Sequence, residues 1–346
     1  MNPPSRRKIL MISSIAIGAA YGIFVRFVFS FSLKGGTTED VFKVMSLAFI
    51  FVVPLVLGFL TVYIRSLEEQ GVSWVGALFL PMIPASISLG CALLFAWEGL
   101  ICVILLLPIF LILSMLGGIF AKLIKRTASA NTNKMVLASF LILPFLVAPL
   151  EAQFAAPEEL RMIETHIEIH SSPQKIWENI KEVPAIQPQE HFFYFSHLIG
   201  FPRPVEAKLI GEGVGAVRHA TFEKGVLFIE TITDWRPQKY LSFSIKADTQ
   251  SIPATTLDAH VKVGGPYFDV LRGTYSIETL SPEKSILHLS STHRLSTRFN
   301  FYSHLWTDFI MKDIQGYILQ IIKKRCENTS TPTTALNEPN RFHEDL

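Results

Sequence analysis

The sequence predicts a multi-span α-helical membrane region followed by an α+β domain, in which a curved antiparallel sheet wraps around a long C-terminal helix. Apolar runs separated by short polar loops fill residues 1–156. Residues 157–327 instead alternate with the period of two that is typical of strands, and they end in an amphipathic helical pattern. The mean hydropathy is +0.36, and 49% of the residues are hydrophobic, which is typical of a membrane protein.

We expect about five transmembrane helices. A helix needs about 20 apolar residues to cross the core of a bilayer. The runs that meet or approach this length are 9–33, 41–64, 72–97, 100–121 and 135–151. The fifth run is the shortest, with sixteen uncharged residues from Met135 to Leu150. It leaves two topologies open, since the C-terminal domain lies opposite the loop 122–134 if this run crosses and on the same side if it does not.

The distribution of Lys and Arg over the loops indicates the orientation. With five crossings, eight of these residues fall on one side, against Lys34 and Lys43 on the other. Because Lys and Arg accumulate in cytoplasmic loops, the N-terminus is expected in the cytoplasm. Lys134 before the fifth run and Glu151 after it favour a crossing. We therefore expect a multi-pass protein of the bacterial inner membrane with an extracytoplasmic C-terminal domain.

Two charged residues lie within or between the apolar runs. Arg26 is near the end of the first run, where a long side chain is expected to snorkel to the interface. Glu98 follows Trp97 in a short Trp-Glu-Gly segment, and we expect it to be hydrated in a tight turn at the level of the headgroups. A functional role for either residue is the alternative. The runs contain no evident pair of opposite charges and no internal repeat, so a transporter is only weakly indicated.

Charge and cysteine content exclude other classes of function. Residues 1–150 carry 11 Lys and Arg against 5 Asp and Glu, and the remainder carries 20 against 24. The C-terminal half is therefore acidic and has no basic surface for nucleic acid. The three cysteines, Cys91, Cys102 and Cys326, show neither a disulfide framework nor metal-ligand spacing. We expect no metal and no cofactor.

The C-terminal half begins with a strand and a short helix. Thr165 to His170 alternates between apolar and polar residues. Ser172 and Pro173 then provide a helix cap and a first helical residue, and Val183-Pro184 ends the helix. An aromatic-rich segment, 185–199, is expected to be irregular or briefly helical.

The remaining elements are strands and one long helix. Three glycines in residues 211–215 lack the spacing of a phosphate-binding loop and are expected to form a turn between strands. A hairpin is predicted around Lys224-Gly225. The later predicted strands are 240–247, 268–280 and 285–297, with an irregular strand at 251–263. Apolar residues recur at three and four from Phe301 to Cys326, which predicts an amphipathic helix, and the tail 328–346 is expected to be disordered.

This order of elements resembles the SRPBCC superfamily, also called START-like or Bet v 1-like, and within it the polyketide cyclase/dehydrase-type proteins. The resemblance covers roughly residues 161–327. It is carried by the segments 167–177, 211–225, 230–235 and 273–277, and by the terminal helix with Tyr302 and Trp306. The resemblance implies a helix-grip fold with a deep, mostly apolar cavity between sheet and helix, which holds lipids, sterols, polyketides or similar molecules. The membrane half resembles no family that we recognise.

Candidate ligand-binding residues follow from this expected cavity. On the last predicted strand Leu287, Leu289, Ser291, His293 and Leu295 share one face, and the apolar members make it the inward face. Ser291 and His293 are therefore expected in or near the cavity. The other candidates are Phe222, Phe228, Glu230, Tyr275, Tyr302 and Trp306. Alternatively, Glu230 is at an exposed strand position or forms an ion pair with Arg218. The alternative for His293 is a hydrogen-bonded histidine near the rim of the cavity.

The sequence thus predicts a membrane-tethered protein that binds a hydrophobic, lipid-like ligand in a START-like cavity. The expected partner is a membrane lipid or another hydrophobic small molecule. The alternative is a cyclase/dehydrase- or hydrolase-type enzyme, with His293 and Glu230 as acid and base, which requires both side chains in one cavity. A sensor whose spans repack when the cavity is occupied is a third possibility. No nucleophile or metal-site motif accompanies these residues.

Overall fold

The computed structural model describes residues 3–30, 44–67, 71–127, 130–248 and 262–327. It consists of a helical N-terminal half, a seven-stranded antiparallel sheet and a long C-terminal helix. The predicted fold class is confirmed. Parts of the predicted runs 9–33 and 41–64, most of the predicted strand 251–263 and the whole tail 328–346 lie outside the described residues.

Among the described residues, the helical half contains six α-helices. Their bounds are α1 Pro3–Ser30, α2 Val53–Arg65, α3 Trp74–Phe79, α4 Met82–Leu94, α5 Leu100–Thr127 and α6 Ala130–Ala152, with a π-helical turn at Ala48–Val52 leading into α2. Within the described ranges, five segments are long and apolar enough to cross a membrane. These are Arg6–Phe29, Ala48–Arg65, Trp74–Leu94, Leu100–Thr127 and Met135–Ala152.

The third segment is bent between α3 and α4. Pro81 lies at the break, because proline lacks an N–H group and its ring clashes with the preceding turn. Proline is tolerated elsewhere, since α5 continues through Pro108 and α6 through Pro144 and Pro149. Neighbouring helices compensate for the missing backbone hydrogen bonds in such cases.

The helices α2 and α5 cross at very short range. A Cβ atom built on Gly58 would lie 1.9 Å from the carbonyl oxygen of Ser114, and one built on Gly117 would lie 1.9 Å from that of Leu55. Glycine is therefore required at both positions for the two backbones to approach this closely. Small residues serve the same purpose at helix contacts within membranes, where van der Waals packing drives association.

The structure corrects the expectations for Arg26 and Glu98. Neither side chain reaches solvent: they are 7% and 5% exposed, and the guanidinium and carboxylate approach to 2.7 Å. Arg26 also donates to the carbonyl oxygen of Trp97 at 2.8 Å. Glu98, on the turn between α4 and α5, lies within reach of Arg26 on α1. The two side chains therefore pair with each other, whereas the sequence predicted that Arg26 would snorkel and that Glu98 would be hydrated. The spans thus do contain a pair of opposite charges.

The sheet has the order β1-β7-β6-β5-β4-β3-β2, and every neighbouring pair is antiparallel. The strands are β1 Glu159–Ile169, β2 Pro204–Ile210, β3 Val217–Phe222, β4 Leu227–Arg236, β5 Tyr240–Ala247, β6 Phe268–Ser281 and β7 Lys284–Leu295. The glycine-rich segment 211–215 joins β2 to β3, as predicted, and Lys224-Gly225 lies in the turn of the predicted hairpin.

In the described part of this half, three α-helices accompany the sheet: α7 Pro173–Lys181, α8 Phe195–Leu198 and α9 Asn300–Glu327. The predicted cap is present, because the Ser172 hydroxyl accepts a hydrogen bond from the backbone N–H of Lys175. Several side-chain hydrogen bonds hold α9 against β1, among them those of Arg161 and Gln315. Arg161 donates to both carboxylate oxygens of Asp308, at 3.0 and 2.6 Å, and Gln315 donates to the carbonyl oxygen of Ile163.

The two halves are in direct contact. The Tyr302 hydroxyl, in the first turn of α9, donates to the carbonyl oxygen of Leu105 in α5 at 2.6 Å. Arg298 donates to the carbonyl oxygen of Phe154, just after α6. The ring of Phe51 packs on Phe301, with 5.3 Å between centroids. The end of the helical half at which α5 begins and α6 ends therefore meets the open end of the sheet.

Candidate ligand-binding cavity

A cavity of about 290 Å³ lies between the concave face of the sheet and α9. Its walls are mostly apolar side chains from β3 to β7 and from the inward face of α9. Representative members are Ala220, Phe243, Leu289, Leu295, Ile310, Met311, Ile314, Ile318 and Ile322. A concave apolar space with a few polar groups is the usual form of a small-molecule site.

One end of the cavity is formed by the helical half. Cys102, Leu105 and Leu106 of α5 line it, together with Met45 and Glu98. The cavity therefore belongs to neither half alone, and it extends from the interior of the sheet to the apolar helices. This connection was not predicted from the sequence.

An ion pair lies in the wall of the cavity. Arg218 on β3 and Glu230 on β4 are opposite each other in the sheet, and the Arg218 Nε donates to Glu230 Oε2 at 2.5 Å. Arg218 also donates to the carbonyl oxygen of Ile180, at the end of α7, and its guanidinium lies over the ring of Phe243, 4.3 Å from the centroid. The ion-pair alternative for Glu230 is therefore observed, in a buried position.

Burial and pairing act together on these groups. Burial raises the pKa of the Glu230 carboxyl, and the neighbouring guanidinium opposes that rise. Burial alone would lower the pKa of Arg218, but the Glu230 carboxylate and the Tyr275 hydroxyl together outweigh burial, so the pKa lies above the ordinary value. Burial also raises the pKa of the Tyr275 hydroxyl. The polar part of the cavity wall is thus the Arg218–Glu230 ion pair, in which the two charges neutralise each other, next to the uncharged phenol of Tyr275.

Seven of the eight candidate residues line this cavity. These are Phe222, Phe228, Glu230, Tyr275, Ser291, Tyr302 and Trp306. The rings of Phe222 and Phe228 meet edge to face, with centroids 4.9 Å apart, beside Ile101 of α5. The Trp306 indole N–H donates to the Tyr302 hydroxyl at 3.0 Å. Four of the seven therefore lie where the two halves meet.

Ser291 has a partner on α9. The side-chain amide of Gln315 donates to the Ser291 hydroxyl at 2.9 Å, and the same amide nitrogen reaches the backbone of β1. Gln315 is buried, so these hydrogen bonds fix the distance between α9 and the sheet on one side of the cavity.

His293 is near the cavity but does not line it. It is on the inward face of β7 and is fully buried, but the ring of Phe268, which itself lines the cavity, packs against it with 5.4 Å between centroids. Neither ring nitrogen has a hydrogen-bond partner, so the alternative of a hydrogen-bonded histidine does not hold either. His293 and Glu230 do not meet in one cavity, and the enzyme hypothesis loses the acid–base pair on which it depended.

Replacement of His293 by leucine is expected to stabilise the protein by about 1 kcal/mol at neutral pH, because burial of a polar group without a partner carries a penalty of about 1–3 kcal/mol. Burial also lowers the pKa of His293 below its ordinary value of 6.5. The unfolded chain therefore binds more protons than the native state as the pH falls below about 7, and native stability decreases. The measurement is the melting temperature of both proteins between pH 7 and pH 5.

The His293→Leu protein should lose less stability over this range than the unchanged protein. Some pH dependence should remain, since burial also lowers the pKa of His197. A lower melting temperature for His293→Leu at pH 7, with an unchanged pH dependence, would contradict the assignment of His293 as a neutral buried histidine without partners.

The sequence reasoning missed two features of the site. The sequence suggests Arg218 only as a partner of Glu230 and not as a residue of the cavity wall. Its neighbours on the same strand face, Ala216 and Ala220, are small and buried, which leaves room for a guanidinium. Glu98 was assigned to a hydrated turn, and no local pattern places it at a cavity. Among the described residues, no group of three or more His, Cys, Asp or Glu side chains is arranged to hold a metal ion.

No family model and no curated protein matches the chain. Solved structures do match its C-terminal half. Norcoclaurine synthase from Thalictrum flavum is 14% identical with a TM-score of 0.32, over 49% of this chain and 96% of that one. A START superfamily protein from Mycobacterium smegmatis is 10% identical with a TM-score of 0.32, over 48% and 97%. The Zhui aromatase/cyclase from Streptomyces sp. R1128 is 13% identical with a TM-score of 0.29, over 48% and 94%.

These similarities concern the fold of about half of the chain. The matched structures have the types of fold that the sequence resemblance implies. The helical half is not part of this similarity.

Proposed function

We propose that this chain is a membrane-embedded protein that binds a hydrophobic, lipid-like ligand between the sheet and α9. The observation that carries the proposal is the composition of the cavity wall, in which apolar side chains of the sheet and α9 continue into Leu105 and Leu106 of α5. A ligand taken from a bilayer would remain in apolar surroundings as it enters such a space. Burial of apolar surface contributes about 25 cal/mol per Å², which favours an apolar ligand over water.

The arrangement of the helices supports five membrane crossings. Helix α5 begins at the sheet and α6 ends there, because Leu105 contacts Tyr302 and Phe154 contacts Arg298. The basic end of α5, with Lys125 and Arg126, is consequently at the far side. This supports a crossing by Met135–Ala152, a cytoplasmic basic end and a sheet on the other side of the membrane, consistent with the tendency of Lys and Arg to remain in the cytoplasm.

The size of the cavity limits the ligand. A volume of about 290 Å³ is at the lower end of small-molecule sites, which span about 300–1,000 Å³. This suits a single acyl chain or a small polycyclic molecule better than an intact two-chain phospholipid, unless α9 moves. The compensated Arg218–Glu230 pair favours an uncharged polar group next to it, since an added charge would be buried without a counter-ion.

Filling the cavity is expected to abolish ligand retention. Ala220 is a small residue of the cavity wall on β3, and Ala220→Trp would project an indole into the space that the ligand needs. The full-length protein is purified in a mild detergent, its bound lipids are extracted with organic solvent, and they are quantified by mass spectrometry per mole of protein. We expect a hydrophobic compound in near-stoichiometric amount with the unchanged protein, and at least a tenfold reduction with Ala220→Trp.

The matched control is His219→Trp, which introduces the same side chain at the adjacent position of β3, on the other face of the sheet. This variant should retain the compound. Equal losses in both variants would indicate general damage to the sheet. The proposal fails if the unchanged protein carries no hydrophobic compound after gentle extraction and binds neither a fluorescent fatty acid nor a fluorescent sterol.

A further inference from the structure

The outward face of α9 is apolar at its beginning and charged further on. Phe301, Leu305 and Phe309 recur every four residues and so lie on one face of the helix. They are 61%, 58% and 47% exposed. Lys312, eleven residues after Phe301, falls on the same face and is also exposed. The change from apolar to charged therefore takes place within about 16 Å along the helix axis, at about 1.5 Å per residue.

The neighbouring face of the same turns, about 100° further around the helix, lines the cavity through Tyr302, Trp306 and Ile310. These two neighbouring faces carry six apolar or aromatic side chains in the first three turns of α9. The face of Phe301, Leu305 and Phe309 contacts protein only in part, since Phe301 packs on Phe51 and Phe309 packs on Phe195, and the three side chains remain 47% to 61% exposed.

The exposed face continues the surface of the apolar helices. Phe301 packs on Phe51, in the π-helical turn that leads into α2. Phe154, directly after α6, and Leu198 on α8 are also largely exposed, at 71% and 63%. Gly200, two residues after α8, adjoins Ile101 in the first turn of α5. All these exposed residues thus lie around the end of the helical half that meets the sheet.

We propose that Phe301, Leu305 and Phe309, together with Phe154 and Leu198, form a bilayer-contacting surface. The first three turns of α9 then lie at the boundary between acyl chains and headgroups, with Lys312 in water. Amphipathic helices bury their apolar face about 5–10 Å into this boundary. In this position the beginning of α9 is the wall that separates bilayer lipid from the cavity, and a ligand enters by passing this wall. The inference rests on the membrane embedding proposed above.

Lipid fits this surface better than another protein copy for two reasons. None of the five side chains is charged, and three different elements contribute them around helix ends that are themselves apolar and exposed, such as Leu100 at the start of α5. The apolar surface of α9 also ends at Lys312, as expected of a helix that leaves the bilayer at this point. Lys side chains at such boundaries extend toward the headgroups.

The test measures the depth of single nitroxide labels in the full-length protein reconstituted in palmitoyl-oleoyl phosphatidylcholine vesicles. Cys91, Cys102 and Cys326 are first replaced by alanine. Single cysteines are then introduced by Phe301→Cys, Leu305→Cys, Phe309→Cys and Lys312→Cys, and by Leu198→Cys on a different element. Electron paramagnetic resonance compares the collision rates of each label with oxygen, which concentrates in lipid, and with a water-soluble nickel chelate.

We expect oxygen-dominated relaxation at Phe301 and Leu305, a smaller preference at Phe309, and nickel-dominated relaxation at Lys312. Leu198 should report lipid as well. A label introduced by Ile112→Cys, on the exposed side of α5, is the reference for a lipid-facing site in the spans.

Three results would overturn the inference. Nickel-dominated relaxation at Leu305 and Leu198, with Ile112 in lipid, would show that the sheet domain lies above the bilayer while the membrane embedding remains. Dipolar broadening between Leu305 labels of two copies would assign the surface to self-association. Nickel-dominated relaxation at Ile112 would contradict the membrane embedding itself, and the inference would fail together with it.

Discussion

Replacement of Glu230 by glutamine is expected to destabilise the sheet domain by about 3–5 kcal/mol, the typical cost of removing one partner of a buried ion pair. Arg218 would keep its charge in the cavity wall, because its side chain is only 4% exposed and its counter-ion would be gone. The measurement is hydrogen–deuterium exchange of the amides in β3 and β4, detected by mass spectrometry. Exchange in these strands should be roughly a hundred to a few thousand times faster, since each 1.4 kcal/mol corresponds to a factor of ten.

Asp234→Asn is the matched control, because it removes a carboxylate of the same strand that pairs with the exposed Arg236. Exposed ion pairs contribute about 0–1 kcal/mol, so exchange should change little. Joint replacement by Arg218→Met and Glu230→Leu should recover most of the loss, since apolar residues of similar size often substitute for a buried pair without penalty. If Glu230→Gln exchanged no faster than Asp234→Asn, Arg218 would have to be solvated within the cavity.

Alanine at Gly58 or Gly117 is expected to separate α2 from α5 and to destabilise the helical half by at least the 1–3 kcal/mol typical of overpacking. The added Cβ would meet a backbone carbonyl oxygen at 1.9 Å in either case. A carbonyl within a helix cannot turn away as the end of a side chain can, so the helix axes themselves must move. The measurement is the fraction of detergent-solubilised protein that remains monodisperse in size-exclusion chromatography after heating.

Gly90→Ala provides the control within the same bundle. Gly90 lies in α4, and a Cβ atom there would have no neighbour within 4 Å. Alanine should be neutral or should stabilise α4 by about 0.5–1 kcal/mol, because it loses less conformational freedom than glycine in a helix. Equal thermal stability of Gly117→Ala and Gly90→Ala would mean that α2 and α5 do not cross as closely as described.

The two charged residues of the helical half show how far local patterns reach. Arg26 and Glu98 are 72 positions apart, and each was assigned the environment that its own neighbours suggest. Their pairing depends on α1 and the turn after α4 lying side by side. A snorkelling arginine and a paired one have the same local sequence, so only the packing of the helices distinguishes them.

The fold class, the order of the strands and helices and the inward face of β7 could all be predicted from the sequence, because hydrophobic periodicity, helix caps and turn residues act over a few neighbouring positions. The same signals indicate that Ser291 faces inward on β7. Glu230, Tyr275, Tyr302 and Trp306 are candidates only through the cavity that the family resemblance implies, and Glu230 keeps the alternative of an exposed or ion-paired position.

Only the tertiary structure decided which inward residues reach the cavity and where the cavity ends. His293 shares its strand face with Ser291, yet Phe268, from the neighbouring strand, packs against it. Leu105 and Glu98 line the same cavity because the beginning of α5 meets the open end of the sheet. Leu105 contacts Tyr302, which lies almost 200 residues later in the chain. Contacts between such distant positions depend on how whole elements pack, and no periodicity within a single element records them.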